Sequence, residues 1–239
     1  MIKLAISGCQ GRMGQRITAL ALNDKIFKIS ALLENKDRPD VPSLSYDIPV
    51  SFEDAALKGS DVLIEFTTPE ATIAHLKACQ KYGVNMVIGT TGITKTQITQ
   101  IKKASSKIAI VFSSNMSVGV NLVFGLIRQA AQVTGKDYAI TLSETHHVHK
   151  KDAPSGTAKT MAELAEQYAK TMVTDIASIR EGEVIGDHTI TFESPVDMIS
   201  IHHHAKTRDI FAEGSLVAAK FLSKKKKGLF NMQDVLGLK

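Results

Sequence analysis

Cysteine is scarce in this chain. Only Cys9 and Cys79 occur among 239 residues, with no CxxC spacing and no framework of pairs, which excludes a disulfide-stapled scaffold. A cytoplasmic home is the simplest expectation. Long apolar runs are also missing: none approaches the roughly 18–20 residues that a membrane-crossing helix needs, so no membrane association is expected. Met1 to Gly14 holds one lysine, a short apolar stretch and then glycines, whereas a secretory leader needs a longer apolar core and a small-residue cleavage site. There is no internal repeat and no low-complexity linker. The net charge of +5 raises the question of nucleic acid. Its only dense basic run is Lys224-Lys225-Lys226-Lys227, between Ser223 and Gly228, which reads as a solvated turn. With no RNA-stacking motif and no zinc-finger spacing, a nucleic-acid partner is not expected. A cationic surface equally suits a small anionic substrate by long-range steering.

What is present is an alternation of short apolar runs with amphipathic segments. Ile2 to Ile6, Lys28 to Leu33, Val62 to Phe66, Asn85 to Ile88 and Ile108 to Phe112 are short, rich in β-branched residues and bounded by Gly, Asn, Ser or Asp, and read as buried strands. Helices are predicted between them at Arg12 to Asn23, Phe52 to Leu57, Pro69 to Tyr82 and Thr94 to Ser105. Fully apolar strands alternating with helices argue a parallel sheet covered on both faces. The pattern changes after Asn115. Long helices are expected at Val118 to Val133 and Ser155 to Met172, strands at Tyr138 to Glu144, Thr189 to Glu193 and Asp197 to His203, and a last helix at Ile210 to Leu222. The fold class is therefore α/β, an N-terminal Rossmann-like parallel-sheet domain joined to an α+β domain.

Gly8-Cys9-Gln10-Gly11-Arg12-Met13-Gly14 directly follows the first strand and opens the first helix. Glycines there permit a tight turn and let backbone approach a pyrophosphate at the helix N-terminus. The spacing is GxxGxxG, weak alone and stronger in this strand-to-helix context. Glu34, twenty residues after Gly14, stands at the end of the second strand, where a carboxylate can accept from adenosine ribose hydroxyls. Arg12, Lys36 and Arg38 are near enough in sequence to help hold a 2′-phosphate. NADH, NADPH or both remain open as the cofactor.

The most specific stretch is Glu144-Thr145-His146-His147-Val148-His149-Lys150-Lys151-Asp152-Ala153-Pro154-Ser155-Gly156-Thr157-Ala158. It resembles the signature of the dihydrodipicolinate reductases almost residue for residue. The resemblance runs through the whole chain: Gly8 to Gly14, Phe66-Thr67-Thr68-Pro69-Glu70, Gly89-Thr90-Thr91-Gly92, Asn115 to Asn121, Gly186-Asp187-His188-Thr189 and Gly228 to Leu236. It implies a reductase of lysine and diaminopimelate biosynthesis whose substrate is a small cyclic imine with two carboxylates. It implies further that residues 1–116 and 208–239 form the dinucleotide-binding domain and 117–207 the substrate and oligomerisation domain, with a homotetramer as the assembly. His146 then becomes the general acid/base and Lys150 the proton donor, with His147, Gly156 and Thr157 on the substrate. Cofactor contacts fall to Gly8, Cys9, Gln10, Gly11, Arg12, Met13, Glu34, Gly89, Thr90, Thr91, Ser113, Ser114, Asn115 and Met116. Chemistry agrees: imidazole exchanges protons near neutrality, a lysine ammonium stabilises developing negative charge, and a helix start binds carboxylate. The chain departs from the family's pattern at Met116, where Phe is common, and at Thr68 and Asn35, where relatives can carry a basic residue.

Metal is not expected. His146, His147 and His149 have no further carboxylate or Cys at a recognisable ligand spacing, and three successive histidines in a strand, His202-His203-His204, cannot converge on one ion. Two other readings stay on the table. A different amino-acid dehydrogenase on a similar two-domain plan would lack the His-His-x-x-Lys and Pro-Ser-Gly-Thr run. A catalytically silent dinucleotide sensor would have no reason to keep both His146 and Lys150.

Overall fold

In the computed structural model, residues 1–238 are described and form two compact units. The first comprises Met1–Ser117 and Phe211–Val235, the second Val118–Ile210 and residues 236–238.

The first unit begins with β1 (Ile2–Ser7), α1 (Arg12–Leu22) and β2 (Phe27–Leu33), followed by two short strands, β3 (Leu44–Ser45) and β4 (Ile48–Ser51). A single 3-10 turn at Asp54–Leu57 stands where a helix over 52–57 was expected. Then come β5 (Val62–Glu65), α2 (Pro69–Tyr82), β6 (Asn85–Ile88), α3 (Lys95–Ala104) and β7 (Ala109–Phe112). The strands lie in the order β7-β6-β5-β1-β2-β4-β3, all paired in parallel except the β3/β4 hairpin. The central strands are apolar because both faces are covered: Leu4, Ile6, Leu63, Ile64, Val87 and Ile110 are wholly buried. Each such side chain contributes roughly 1.5–3 kcal/mol of transfer free energy. Local chemistry sets the helix ends. Thr68 accepts a hydrogen bond from the Ala71 amide, Pro69 opens α2, and Gly83 closes it at φ 71°. Thr94 and Gln97 form a reciprocal capping box at α3.

The second unit contains α4 (Val118–Thr134), β8 (Ala139–His146), α5 (Gly156–Ala169), β9 (Val173–Arg180), β10 (Asp187–Glu193) and β11 (Met198–His204). Its sheet runs β11-β10-β8-β9, antiparallel except for the β8/β9 pair. One face packs under α4 and α5 through Ile127, Ala131, Ile140, Leu142, Met161, Ile190 and Phe192. The other carries Thr141, Ser143 and Thr145 beside Thr189 and Thr191, with His202 and His204 along the edge strand. Strand alternation thus separates His202 and His204, which both reach Asp187, from His203 on the opposite face.

The chain ends with α6 (Asp209–Leu222), β12 (Gly228–Phe230) and α7 (Met232–Leu236). β12 extends the first unit's parallel sheet beyond β7, and α6 seats Gly214 on the backbone of Met116. The Lys224–Lys227 run is an exposed turn between α6 and β12.

Candidate active site

Because β7, β6, β5, β1 and β2 are parallel neighbours, their carboxyl ends lie along one sheet edge. The segments Ser113–Met116, Gly89–Thr91, Phe66–Thr68, Gly8–Met13 and Glu34 follow those ends in that order. Strand order reverses at β1, and the crevice there is where doubly wound folds take ligands. The β1–α1 turn has no room for a side chain at Gly14 or Gly8. A Cβ on Gly14 would lie 2.1 Å from the Gly8 carbonyl oxygen, and one on Gly8, at φ +60°, would lie 2.7 Å from Thr67. Glu34 braces the turn by accepting from the Gln10 amide at 2.9 Å, and Arg38 donates to the Gln10 carbonyl at 3.0 Å. Not every expected contact presents a side chain. Cys9 and Met116 are buried, 1% exposed each, so only their backbone borders the edge. Thr90 is buried and accepts from the Thr72 hydroxyl, while Thr91 and Ser114 are exposed.

Glu65, missed at the level of sequence, is wholly buried at the end of β5. Its carboxylate accepts from the Thr67 amide at 2.8 Å and meets His75 Nδ1 at 2.5 Å, fixing the turn on which Gly8 rests.

In the second unit, β8 alternates Ile140, Leu142, Glu144 and His146 onto its covered face. A carboxylate and an imidazole therefore continue a row of core residues. Glu144 Oε2 meets His146 Nδ1, and Glu144 Oε1 accepts from Arg180 Nη2 at 2.9 Å. Arg180 also donates to the Asp152 carbonyl at 2.6 Å, which ties the loop carrying Lys150 to β9. Lys150 is half-buried and pairs with Asp152 at 2.9 Å. The helix start is anchored to the same group. Ser155 caps α5 by accepting from the Ala158 amide, its own amide lies 3.4 Å from Glu144 Oε1, and its hydroxyl lies 3.2 Å from His188 Nε2. Thus His146 and the α5 start at Ser155 meet one buried carboxylate, and Arg180 ties the loop carrying Lys150 to the same group. His147 begins the same loop, half-buried, and its ring lies 6.1 Å from the exposed His149.

Sequence comparison decides the family. The model for the N-terminal part of dihydrodipicolinate reductase matches residues 2–116, and that for its C-terminal part matches residues 119–236. The chain belongs to the dihydrodipicolinate reductase family. It is 40% identical over 269 residues to 4-hydroxy-tetrahydrodipicolinate reductase of Nitrosomonas eutropha, covering all of this chain and 99% of the relative. The Laribacter hongkongensis enzyme of the same name is also 40% identical, over 265 residues. A dipicolinate-bound dihydrodipicolinate reductase from Paenisporosarcina shares 26% identity over 98% of each chain, with a TM-score of 0.85. Aspartate dehydrogenase of Thermotoga maritima, at 11% identity and a TM-score of 0.54, shares the fold alone. As a member of its family the chain is an NAD(P)H-dependent oxidoreductase of lysine and diaminopimelate biosynthesis.

The reductase's nicotinamide dinucleotide fits the first unit. A turn closed to any Cβ at Gly14 and braced by Glu34 would let a pyrophosphate approach the backbone at the start of α1, at the sheet's reversal point.

The reductase also carries a trio that spacing alone did not reveal. One ligand atom each of Glu144, His146 and His188 lies within 4.8 Å of the others, close enough to hold a metal. Here the Arg180 guanidinium already supplies the positive charge beside that carboxylate. His188 is 4% exposed and its ring stands edge-on to His146 at 5.0 Å. Burial, with the neighbouring His146, pushes its pKa down from 6.5 to about 4, against the pull of Glu144. The sign follows. Below about pH 6.5 the unfolded chain protonates this ring and the folded chain does not, so stability falls as pH drops from 6.5 towards 4. The loss expected from His188 is on the order of 3 kcal/mol. Urea unfolding at the two ends of that window should show it, and His188→Asn should flatten the dependence. An unchanged slope in the variant would contradict the assignment.

Proposed function

We propose that the second unit binds the substrate's two carboxylates at the start of α5 and beside the Lys150 ammonium, with His146 as the general acid/base and Lys150 as the proton donor. The reaction is NAD(P)H-dependent reduction of 4-hydroxy-tetrahydrodipicolinate to tetrahydrodipicolinate. The reading rests on Glu144 and Arg180, which together hold His146, the α5 start and the loop carrying Lys150. The reduced nicotinamide, when bound, supplies the hydride. Gly8, Cys9, Gln10, Gly11, Arg12, Met13 and Glu34 would hold the adenosine and pyrophosphate half, with Gly89, Thr90, Thr91 and Ser113–Met116 towards the nicotinamide. Gly156 and Thr157 donate from the first turn of a helix, whose dipole favours an anion. His147 contacts the substrate. Burial pulls the His146 pKa down and Glu144 opposes it, so the neutral ring exchanges protons while Lys150 carries the charge that meets developing anion.

The test generates substrate in place with a synthase acting on pyruvate and aspartate semialdehyde, and follows the absorbance of NADH and of NADPH. Oxidation of either dinucleotide that requires the synthase supports the reading. Tight dinucleotide binding with no turnover would favour a silent sensor. The same reading makes the protein a cytoplasmic homotetramer, joined through the uncovered face of the second unit's sheet. In support, Ile179 and Met198 are 47% and 63% exposed on that face, and both cysteines are unpaired. Light scattering should give four chains, and a monomer at every concentration would refute this.

A further inference from the structure

An imidazole that exchanges protons at one nitrogen needs the other nitrogen committed, and His146 has that arrangement. Its Nδ1 meets Glu144, whose side chain is completely buried. An ionised carboxylate only accepts, so this contact places a proton on Nδ1 and leaves the lone pair on Nε2. Glu144 in turn is held by Arg180 of β9 and faces the Ser155 amide at the α5 start. Burial raises its pKa, yet Arg180, Ser178 and His146 together bring it below the usual carboxylate range. At Nε2 the neighbour is Gly186, where a Cβ would lie 3.1 Å from the nitrogen. Gly186 has no positive φ, so the requirement there is space and not backbone freedom. The other charged or titratable groups around the ring are Lys150, Arg180 and His188.

We infer that Glu144 is a positioning residue of the reductase: locked by Arg180, it fixes His146 as the Nδ1–H tautomer, and Gly186 keeps the proton-exchanging Nε2 accessible. The inference rests on the reading of His146 as the acid/base. Glu144→Gln makes a sharp test because arginine only donates. A glutamine there must turn its carbonyl to Arg180 and its NH₂ group to His146, which reverses the tautomer. A comparable buried carboxylate-to-amide change in the serine-protease triad lowers kcat by roughly 10⁴ through the wrong tautomer.

The experiment uses the full chain with ¹⁵N-labelled histidine, reading the His146 tautomer by NMR beside kcat, KM and dinucleotide affinity. The wild-type ring should be protonated at Nδ1. In Glu144→Gln the proton should move to Nε2 and kcat should fall roughly 10²–10⁴-fold, with dinucleotide affinity unchanged. Gly186→Ala should lower kcat while keeping the wild-type tautomer. An Nε2–H tautomer in the wild type would overturn the inference even if no variant folds. So would a Glu144→Gln enzyme with normal kcat beside a slow His146→Gln enzyme, an outcome that leaves the acid/base role standing. A normal rate in His146→Gln would instead remove that role itself.

Discussion

Alanine at position 14 is expected to abolish useful dinucleotide binding and to weaken the fold. Three atoms stand within 3 Å of where the new Cβ must go: the Gly8 carbonyl oxygen at 2.1 Å, the Cys9 Cα at 2.7 Å and the Gly8 carbonyl carbon at 2.8 Å. All are backbone, so no side chain can swing aside. The turn would have to open, and it is tied to the end of β2 by the Cys9 amide to Leu33 and the Gln10 amide to Glu34. Overpacking of this kind costs about 1–3 kcal/mol of stability. Binding should suffer more than stability if this turn holds the pyrophosphate as proposed, because opening it shifts the start of α1 and each 1.4 kcal/mol is about tenfold in affinity. Gly11→Ala supplies the graded comparison. Its Cβ would sit 3.1 Å from the Gly8 oxygen, a clash that a few tenths of an ångström relieve. NADPH titration and urea unfolding of the two variants should rank Gly14→Ala well below Gly11→Ala. Equal, near-normal affinities would show that the turn does not hold the cofactor.

The elements that sequence made legible are those whose burial is simplest. β1, β5, β6 and β7 carry mostly apolar residues buried on both faces, and α2 is bracketed by Thr68, Pro69 and Gly83. The failures have local causes. α5 was expected to reach Met172 but stops at Ala169, with Lys170 in the left-handed region at φ 60°. No glycine announces that end. β9 was not expected at all: as an edge strand it shows no clean alternation of buried and exposed residues. Missing β9 also hid Arg180, and with it the partner that explains a charged Glu144 among core residues. β3 and β4 are joined through Tyr46 and Asp47, both at positive φ without glycine, which removed the usual hairpin signal. The His146-to-Thr157 segment was legible because its chemistry is contiguous. The network that orders it was not, since Arg180 and His188 arrive from later strands.

Removing either group proposed to handle the proton should cost turnover heavily. His146→Ala removes the ring proposed to exchange protons, and Lys150→Ala removes the ammonium that pairs with Asp152. General acid–base groups contribute typically 10² to 10⁴ in rate, so each variant should lose about that much turnover. The double variant should lose less than the product of the two, because groups that act as a unit are not additive. Dinucleotide affinity should hold in all three, since the glycine turn and Glu34 belong to the first unit. Lys150→Ala also frees Asp152, whose pKa the lysine holds down, but Arg180 still fastens the loop through the Asp152 carbonyl. Little loss of stability is therefore expected.

Single-turnover oxidation of NADPH, preloaded on wild-type, His146→Ala and Lys150→Ala protein and started with synthase-generated substrate, probes the chemistry itself. The expected record is a fast wild-type trace and two slow ones, with equal amounts of NADPH bound at the start. Wild-type rates in both variants would mean that the second unit's imidazole and ammonium do not handle the proton.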